Sequence, residues 1–357
     1  MNRRKQVITF LVVFVVLAGL VYLQVREWQR FDWKKFKAGT EGLNWAAIFV
    51  GVLLVHIADF IRALRWKIFL RPTRTSNVSW TSLVAPQFVG FAGLAILGRP
   101  GELIRPYLLA KKTSTGMPAQ LAIWFVERAF DIGAVTALLA IDIFFVLPPR
   151  LRADWQAAGY ILIALFFGFV FMLYALWKHG SAISAWLCRR LSPVSPKFAT
   201  KLEQRLRQAS GGLHTIHDWR SFFEATAISA AIWLLVALAY RQVTHAFPFS
   251  SGLPSLDLPE VILLMGASVA GGVIQLPIVG GGAQLATIAV LTSTFADIVT
   301  PELAVAAGIL FWLVTFISVA PLGIVLARFE HVSLRNMSEA EKDAESNGML
   351  PNGDNPD

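Results

Sequence analysis

Long apolar segments recur along the chain at lengths that suit a membrane crossing. A transmembrane helix needs about 20 mainly apolar residues. Six segments meet this requirement: residues 7–25, 44–70, 117–147, 158–177, 222–246 and 301–327. The first follows the basic start MNRRKQ and has no small-residue cleavage site behind it, which favours a retained signal anchor. The pattern predicts an all-α, polytopic membrane bundle.

Two further apolar regions are interrupted. Residues 79–98 contain Pro86, Gly90 and Gly93, and residues 259–297 form two short halves around the sequence LPIVGGG. Each region suits either one full span or a re-entrant hairpin that enters and leaves on the same side. Apolarity alone leaves both alternatives open.

The distribution of Lys and Arg decides between these alternatives. With the basic N-terminus inside and both regions treated as hairpins, 23 of the 32 cations lie inside, 8 lie outside and Arg128 lies within a span. A full span at 79–98 would place the eight cations of 178–220 outside, against the positive-inside rule. We therefore predict about six full spans plus two re-entrant hairpins from opposite sides, with both termini cytoplasmic. Broken backbone at membrane depth implies a cavity.

Composition agrees with a membrane domain. The chain is 55% hydrophobic and 15% charged, whereas soluble domains carry about 25% charged residues. The positive-inside bias accounts for the net charge of +9, so no nucleic-acid partner is expected. We predict one membrane domain over 1–330, a basic interfacial stretch at 178–221 and a disordered cytoplasmic tail at 331–357. The basic stretch suits either an amphipathic helix on anionic lipid or a helix docked on the bundle.

The stretch LGRPGELIRPYLLAKK, residues 97–112, places charges directly after the first interrupted region. Pro100 suits the first position of a helix, where free N–H groups attract anions. Arg99 and Arg105 flank that position, and guanidinium groups bind phosphate in a bidentate manner. Glu102 could orient an arginine or exchange a proton. The alternative is an ordinary capped loop helix with positive-inside arginines.

A second group of charges lies in the stretch WFVERAFDIG. Glu127, Arg128 and Asp131 fall within about 100° of one another on a helix. Each costs ~2.5–3.5 kcal/mol at the centre of a span, so together they must face the bundle interior. They suit either a functional site or a structural ion-pair network.

Two further stretches supply candidate headgroup contacts. In IQLPIVGGGAQLA the consecutive glycines Gly280, Gly281 and Gly282, followed by Gln284, suit a hairpin tip or a contact with a polar headgroup. In residues 56–71, Arg62 and Arg65 are secondary candidates, although most cations there suit interfacial anchors. No zinc-protease, serine-hydrolase or Walker pattern occurs. We therefore expect no catalytic residue, metal or cofactor.

These motifs together resemble a known family. The strings RALRW, GRPGELIRPYLL, ERAFDIGA and LPIVGGG, in that order, resemble the flippase-like membrane domain of bacterial lysylphosphatidylglycerol synthases over about residues 7–328. The resemblance implies a helical bundle with re-entrant segments, in the bacterial cytoplasmic (inner) membrane, that binds anionic or modified lipids or moves them between leaflets. Its motif elements fall on Arg65, Gly101, Glu102, Arg105, Glu127, Arg128 and Asp131. Gln284 stands where the family usually has a glutamate, and no synthase domain is present.

The resulting hypothesis is a lipid transporter with a polar cleft between the two hairpins. Arg99, Arg105 and Arg128 would hold a phosphate, and the nearby acids would orient these arginines. The alternatives are a membrane-embedded enzyme or an accessory scaffold acting on polyprenyl-phosphate or phospholipid substrates. The expected partners are a membrane phospholipid or polyprenyl-phosphate lipid, together with a second copy of the chain or a separately encoded lipid-modifying enzyme.

Overall fold

The fold is described here from a computed structural model, which describes residues 33–71, 79–113, 116–191, 218–250, 252–273, 275–276 and 280–329. The first predicted span, most of the basic stretch and the tail at 331–357 lie outside these residues. The regular secondary structure of the described part is helical except for one two-residue ladder, which confirms the all-α prediction. Four helices are long and apolar enough to cross a membrane: Trp45–Leu70, Met117–Val146, Trp219–His245 and Pro301–Phe329. The number of six full spans stays a prediction.

The helices are numbered in chain order. They are α1 (Trp33–Thr40), α2 (Trp45–Leu70), α3 (Trp80–Leu97), α4 (Ile104–Thr113), α5 (Met117–Ile141), α6 (Pro149–Leu191), α7 (Trp219–His245), α8 (Leu258–Gly271), α9 (Gly282–Ser293), α10 (Pro301–Thr315) and α11 (Ala320–Phe329). Short 3₁₀ turns occupy Arg99–Leu103, Leu253–Ser255 and Ile317–Val319, and a π-helical segment, Asp142–Val146, extends α5. The ladder pairs β1 (Gln275–Leu276) with β2 (Gly280–Gly281).

Helices α2 and α7 pack closely against each other as an antiparallel pair. At one end, the Asn44 side chain caps α2 and the Asn44 N–H donates to the Ala246 carbonyl beyond α7. At the other end, Arg71 and Glu224 form an ion pair at 2.5 Å. The two ends of the bundle are called the Asn44 end and the Arg71 end below.

The first interrupted region forms a helical hairpin that opens toward the Arg71 end. Its limbs are α3 and α4, and the chain reverses between them at Gly98, which has a φ of 70°. A Cβ on Gly101 would lie 2.0 Å from the Gly93 carbonyl oxygen, and one on Gly90 would lie 2.6 Å from the Arg105 Cβ. These glycines therefore allow close packing of the two limbs.

This geometry corrects the predicted course of the chain after Gly98. The sequence predicted that 99–112 follow the hairpin on the cytoplasmic side. Instead they form its tip and its returning limb, because the glycines of α3 accommodate the second limb without breaking the helix.

The second interrupted region forms another hairpin, from α8, the β1–β2 ladder and α9. It opens toward the Asn44 end, since Glu260 in the first turn of α8 pairs with Arg150 at the start of α6, at 2.8 Å. A Cβ on Gly271 would lie 2.1 Å from the Gly282 carbonyl oxygen, so these limbs also pack closely. The two hairpins therefore open toward opposite ends of the bundle, as the charge distribution predicts.

Helix α6 is longer than the span predicted at 158–177. It continues without a break through Leu191, so the basic stretch predicted from residue 178 begins within a helix. Residues 192–217 of that stretch lie outside the described part of the chain.

Candidate functional site

A buried network of charges joins the first hairpin to α2, α5 and α7. Its centre is Arg65, whose side chain is fully buried. Nη1 of Arg65 donates to Asp131 Oδ1 at 2.8 Å and to Ser229 Oγ at 2.7 Å, and Nη2 donates to Glu127 Oε1 at 2.9 Å. One guanidinium group therefore ties three helices together.

Arg105 joins the same network from α4. Both of its terminal nitrogens donate to the Glu127 carboxylate, and Nη1 also donates to Gln87 Oε1 at 2.7 Å. Its guanidinium carbon lies 5.2 Å from the centre of the Trp66 ring. The bidentate fork that the sequence assigned to a lipid phosphate is thus used on a protein carboxylate in this arrangement.

Arg128 is the most exposed arginine of this network. Its Nη2 lies 3.2 Å from Asp131 Oδ2 and 3.7 Å from Glu127 Oε1, and 36% of its side chain is exposed. Glu127 and Asp131 are buried, as expected from the cost of a charge within a span. The three charges of WFVERAFDIG therefore divide into two interior acids and one accessible cation.

The network extends along α2 toward the Asn44 end. Arg62 Nη1 donates to Asp59 Oδ1 at 2.9 Å, and its guanidinium carbon lies 5.5 Å and 5.7 Å from the ring centres of Phe91 and Trp233. Trp233 Nε1 donates to Asp131 Oδ1 at 3.3 Å. Both arginines treated as secondary candidates thus contact the network, and Arg65 is its hub.

A cleft opens beside this network on the first hairpin. Its empty volume, including the open space at its mouth, is about 300 Å³, and it is lined by Gln87, Gly90, Phe91, Leu94, Glu102, Arg105, Trp124 and Arg128. Among the described residues, Nε2 of Gln87 and Nε of Arg128 are buried and have no acceptor. Nε of Arg62, which lies against Phe91, also has none. Unmade hydrogen bonds of buried donors cost about 1–3 kcal/mol each, so the cleft suits a group rich in acceptors.

Of the remaining predicted residues, one lines this cleft and the others lie elsewhere or outside the described side chains. Glu102 lines it, whereas the side chain of Arg99 lies outside the described part of the structure. Gly280 and Gly281 form the ladder of the second hairpin, and Gly282 begins α9.

Gln284 belongs to the same second hairpin. Its main-chain carbonyl oxygen lies 3.6 Å from a Cβ built on Gly308 of α10. Within the described ranges, neither Gln284 nor the three glycines form a hydrogen bond or ion pair with the charge network. The structure therefore places the cleft on the first hairpin, not between the two hairpins as the sequence predicted.

Sequence reasoning missed four members of the network. They are Asp59, Gln87, Ser229 and Trp233. Asp59 has a detectable signal, since it precedes Arg62 and Arg65 at three-residue steps within an apolar helix. The other three are single polar or amphipathic residues in apolar helices, where no spacing marks them.

A second cavity lies between α5, α6 and α7, with an empty volume of about 910 Å³ that includes open space at its mouth. Its walls are mainly apolar and include Phe130, Gly133 and Phe166. Ser229 and Trp233 line it and also hydrogen-bond to the network. The charges therefore lie between a polar cleft and an apolar cavity.

Comparison with known proteins agrees with the motifs. No curated protein and no solved structure matches the chain. A family model, described as the lysylphosphatidylglycerol synthase TM region, matches residues 7–323, which include both hairpins and every member of the network. This multi-pass membrane protein belongs to the lysylphosphatidylglycerol synthase TM region family.

Proposed function

We propose that the protein is a flippase-like lipid transporter whose cleft on the first hairpin binds a phosphate-bearing headgroup. The observation that carries the proposal is the presence of donors without acceptors in the cleft wall, on Gln87 and Arg128. A phosphate diester or monoester offers several acceptor oxygens and no donor of comparable strength. It is therefore the membrane group that matches these N–H groups best.

The buried network supports this role by holding Arg128 in place. Asp131 and Glu127 lie on the protein side of its guanidinium group, and Arg65 fixes both carboxylates through its own hydrogen bonds. Their ion pairs are made with Nη2 of Arg128, whereas its Nε–H has no described acceptor and can donate to a ligand oxygen. A guanidinium group held in this way loses less conformational entropy on binding than a free surface arginine does.

The cleft carries both an acidic and a basic side chain. Glu102 lines the same cleft as Arg128, so the site presents both signs of charge. An anionic headgroup that also carries a hydroxyl or an amine would use both. The proposal covers phospholipids, modified phospholipids and polyprenyl phosphates, whose shared chemistry is the phosphate.

The site would act within the bacterial cytoplasmic membrane, with the lipid tails remaining in the bilayer. The first hairpin opens toward the Arg71 end, which the positive-inside count assigns to the cytoplasm. On this proposal the headgroup reaches Arg128 from the cytoplasmic leaflet. No nucleotide-binding pattern is present in the sequence, so movement would follow a lipid gradient or an ion gradient.

The proposal is tested by lipid binding to the purified protein in detergent. Phosphatidylglycerol and a polyprenyl phosphate should bind, and diacylglycerol, which lacks the phosphate, should not. Arg128→Ala should weaken phosphatidylglycerol binding at least about tenfold, since a charge-assisted hydrogen bond contributes about 1.5–3 kcal/mol. Lys37→Ala is the control, because Lys37 is a largely exposed cation on α1 with only a 4.0 Å ion pair to Glu41.

Two outcomes would contradict the proposal. One is equal binding of diacylglycerol and phosphatidylglycerol, and the other is normal phosphatidylglycerol binding by Arg128→Ala. Lipid recovered in a chemically altered form would instead favour the enzymatic alternative. Binding without movement of a fluorescent lipid in proteoliposomes would favour an accessory scaffold.

A further inference from the structure

Asp142 is a buried carboxylate outside the network described above. It lies at the junction of α5 and its π-helical extension, in the sequence LLAIDIFF, with 2% of the residue exposed. Its Oδ2 has no hydrogen-bond partner among the described residues. The apolar residues Leu139, Ile143 and Leu147 surround this junction in sequence and are themselves buried.

The other buried carboxylates in the described part of the chain all pair with arginine. Asp59 pairs with Arg62, Glu127 and Asp131 pair with Arg65, and Glu260 pairs with Arg150, at 2.8–2.9 Å. No ion pair to Asp142 occurs within the described residues. Asp142 therefore differs from the other buried carboxylates because it has no arginine partner.

None of the charged groups on the described elements around this junction forms an ion pair with Asp142. On α6, on α8 with its N-cap and at the end of α7, these groups are Arg150, Arg152, Asp154, Arg241, His245, Asp257 and Glu260. Arg150 pairs with Glu260, and His245 Nδ1 lies 2.8 Å from the Arg241 carbonyl oxygen. Arg152 Nη2 donates to the Leu147 carbonyl at 3.0 Å, and its Nε has no described acceptor, Asp142 included. Asp154, Asp257 and Arg241 are exposed.

An unpaired carboxylate in such surroundings is stable only in its neutral form. Taking an ionised carboxylate out of water without a partner costs several kcal/mol, and the group binds a proton instead. The backbone at this point is also unusual, since the Leu147 N–H donates to the Asp142 carbonyl over five residues at 2.7 Å. Single π-helical turns of this kind are frequently found at functional sites.

We infer that Asp142 is a proton-binding site, neutral in this conformation, that ionises when the π-helical segment opens to water at the Asn44 end. On opening, the carboxylic acid transfers its proton to water and leaves a carboxylate. On closing, the carboxylate takes a proton back. Coupling of this cycle to lipid movement rests on the proposed function, whereas the protonation itself does not.

The first test measures protonation directly in the full-length protein. Infrared difference spectra between wild type and Asp142→Asn, in vesicles at neutral pH, should contain the C=O stretching band of a protonated carboxylic acid. Asp154→Asn, which alters an exposed carboxylate on α6, should give only a carboxylate band. A carboxylate band for Asp142 at neutral pH would overturn the inference.

The second test measures opening. Ile143→Cys, in a Cys188→Ser background, places a thiol at a site that is 1% exposed. A membrane-impermeant maleimide should label it several-fold faster at high pH than the same thiol in the Asp142→Asn variant at that pH. Asp154→Asn should leave the difference unchanged. Equal labelling of the thiol with and without the Asp142→Asn change at every pH would overturn the inference, whether or not the protein moves lipid.

Discussion

The two hairpins share one architecture and differ in chemistry. Both have two packed limbs and close glycine contacts, and they open toward opposite ends of the bundle. The first carries Gln87, Glu102 and Arg105 and packs on the charge network. The second closes at its tip with a two-residue backbone ladder and forms no described bond to that network. Broken helices therefore indicate where backbone enters the membrane, whereas side-chain charges indicate where a ligand binds.

The largest expected effect comes from removing the acid that the first hairpin shares with the bundle. Glu127→Ala leaves Arg65 and Arg105 buried with fewer partners, which should destabilise the protein by about 3–5 kcal/mol. The measurement is thermal unfolding in detergent. Glu224→Ala is the matched control, because Glu224 pairs with Arg71 and Arg220 at the bundle surface, where ion pairs contribute little to stability.

Measuring both unfolding and lipid binding of Glu127→Ala distinguishes a structural role of Glu127 from direct contact with the lipid. Glu127→Ala protein that unfolds like wild type but fails to bind lipid would assign Glu127 a direct ligand role. That result would contradict the description of the network as the support of Arg128.

The next effect compares the two hairpins at equivalent glycines. Gly101→Ala and Gly271→Ala each place a methyl group about 2 Å from a carbonyl oxygen, so each should destabilise by at least about 1–3 kcal/mol. Only Gly101→Ala should also weaken phosphatidylglycerol binding, because Gly101 positions the tip that carries Glu102. Gly168→Ala, which meets no atom within 4 Å, should change neither property. Equal loss of phosphatidylglycerol binding in Gly101→Ala and Gly271→Ala would contradict the proposal that only the first hairpin binds the headgroup.

Arg105→Lys should destabilise the protein no more than the glycine variants do. Lysine keeps the positive charge but cannot make the two parallel bonds to Glu127 or reach Gln87 at the same time. We expect a loss of about 1–3 kcal/mol in unfolding free energy and a modest loss of lipid binding. A variant with wild-type stability and strongly reduced binding would restore Arg105 to the direct phosphate contact that the sequence predicted.

The smallest effect is expected at Gln284. This residue lies on the second hairpin against α10, so Gln284→Ala should change phosphatidylglycerol binding less than twofold, which is below about 0.5 kcal/mol. The same binding assay checks it. A tenfold loss would place the second hairpin in the headgroup site.

Hydrophobicity and charge counting predicted the architecture because they measure the physical constraints of the bilayer. The observed helices Trp45–Leu70, Met117–Val146 and Trp219–His245 differ from their predicted spans by only a few residues. The two hairpins followed from helix breakers together with the positive-inside rule. The turn at Gly98 was harder to predict, because the glycines of α3 serve limb packing and leave the helix intact.

The site was predicted only in part, since spacing defines a helix face but not its partner. The motifs contain Glu102, Glu127, Arg128 and Asp131, which lie in the cleft wall or the charge network; their role in headgroup binding stays a prediction. The sequence predicts Arg65 only as a secondary headgroup contact and as an element of the family motif. Its central position is visible only in the folded protein, because tertiary packing brings Glu127 and Asp131 to it.

Photocross-linking shows directly whether the headgroup binds at the first hairpin. Vesicles that contain the full-length protein and phosphatidylglycerol with a photoreactive group on its headgroup are irradiated, and the labelled peptides are mapped. We expect labels within residues 87–128, fewer of them in Arg128→Ala and an unchanged number in Lys37→Ala. Labels concentrated at 275–284, with residues 87–128 unlabelled, would show that the headgroup binds at the second hairpin instead.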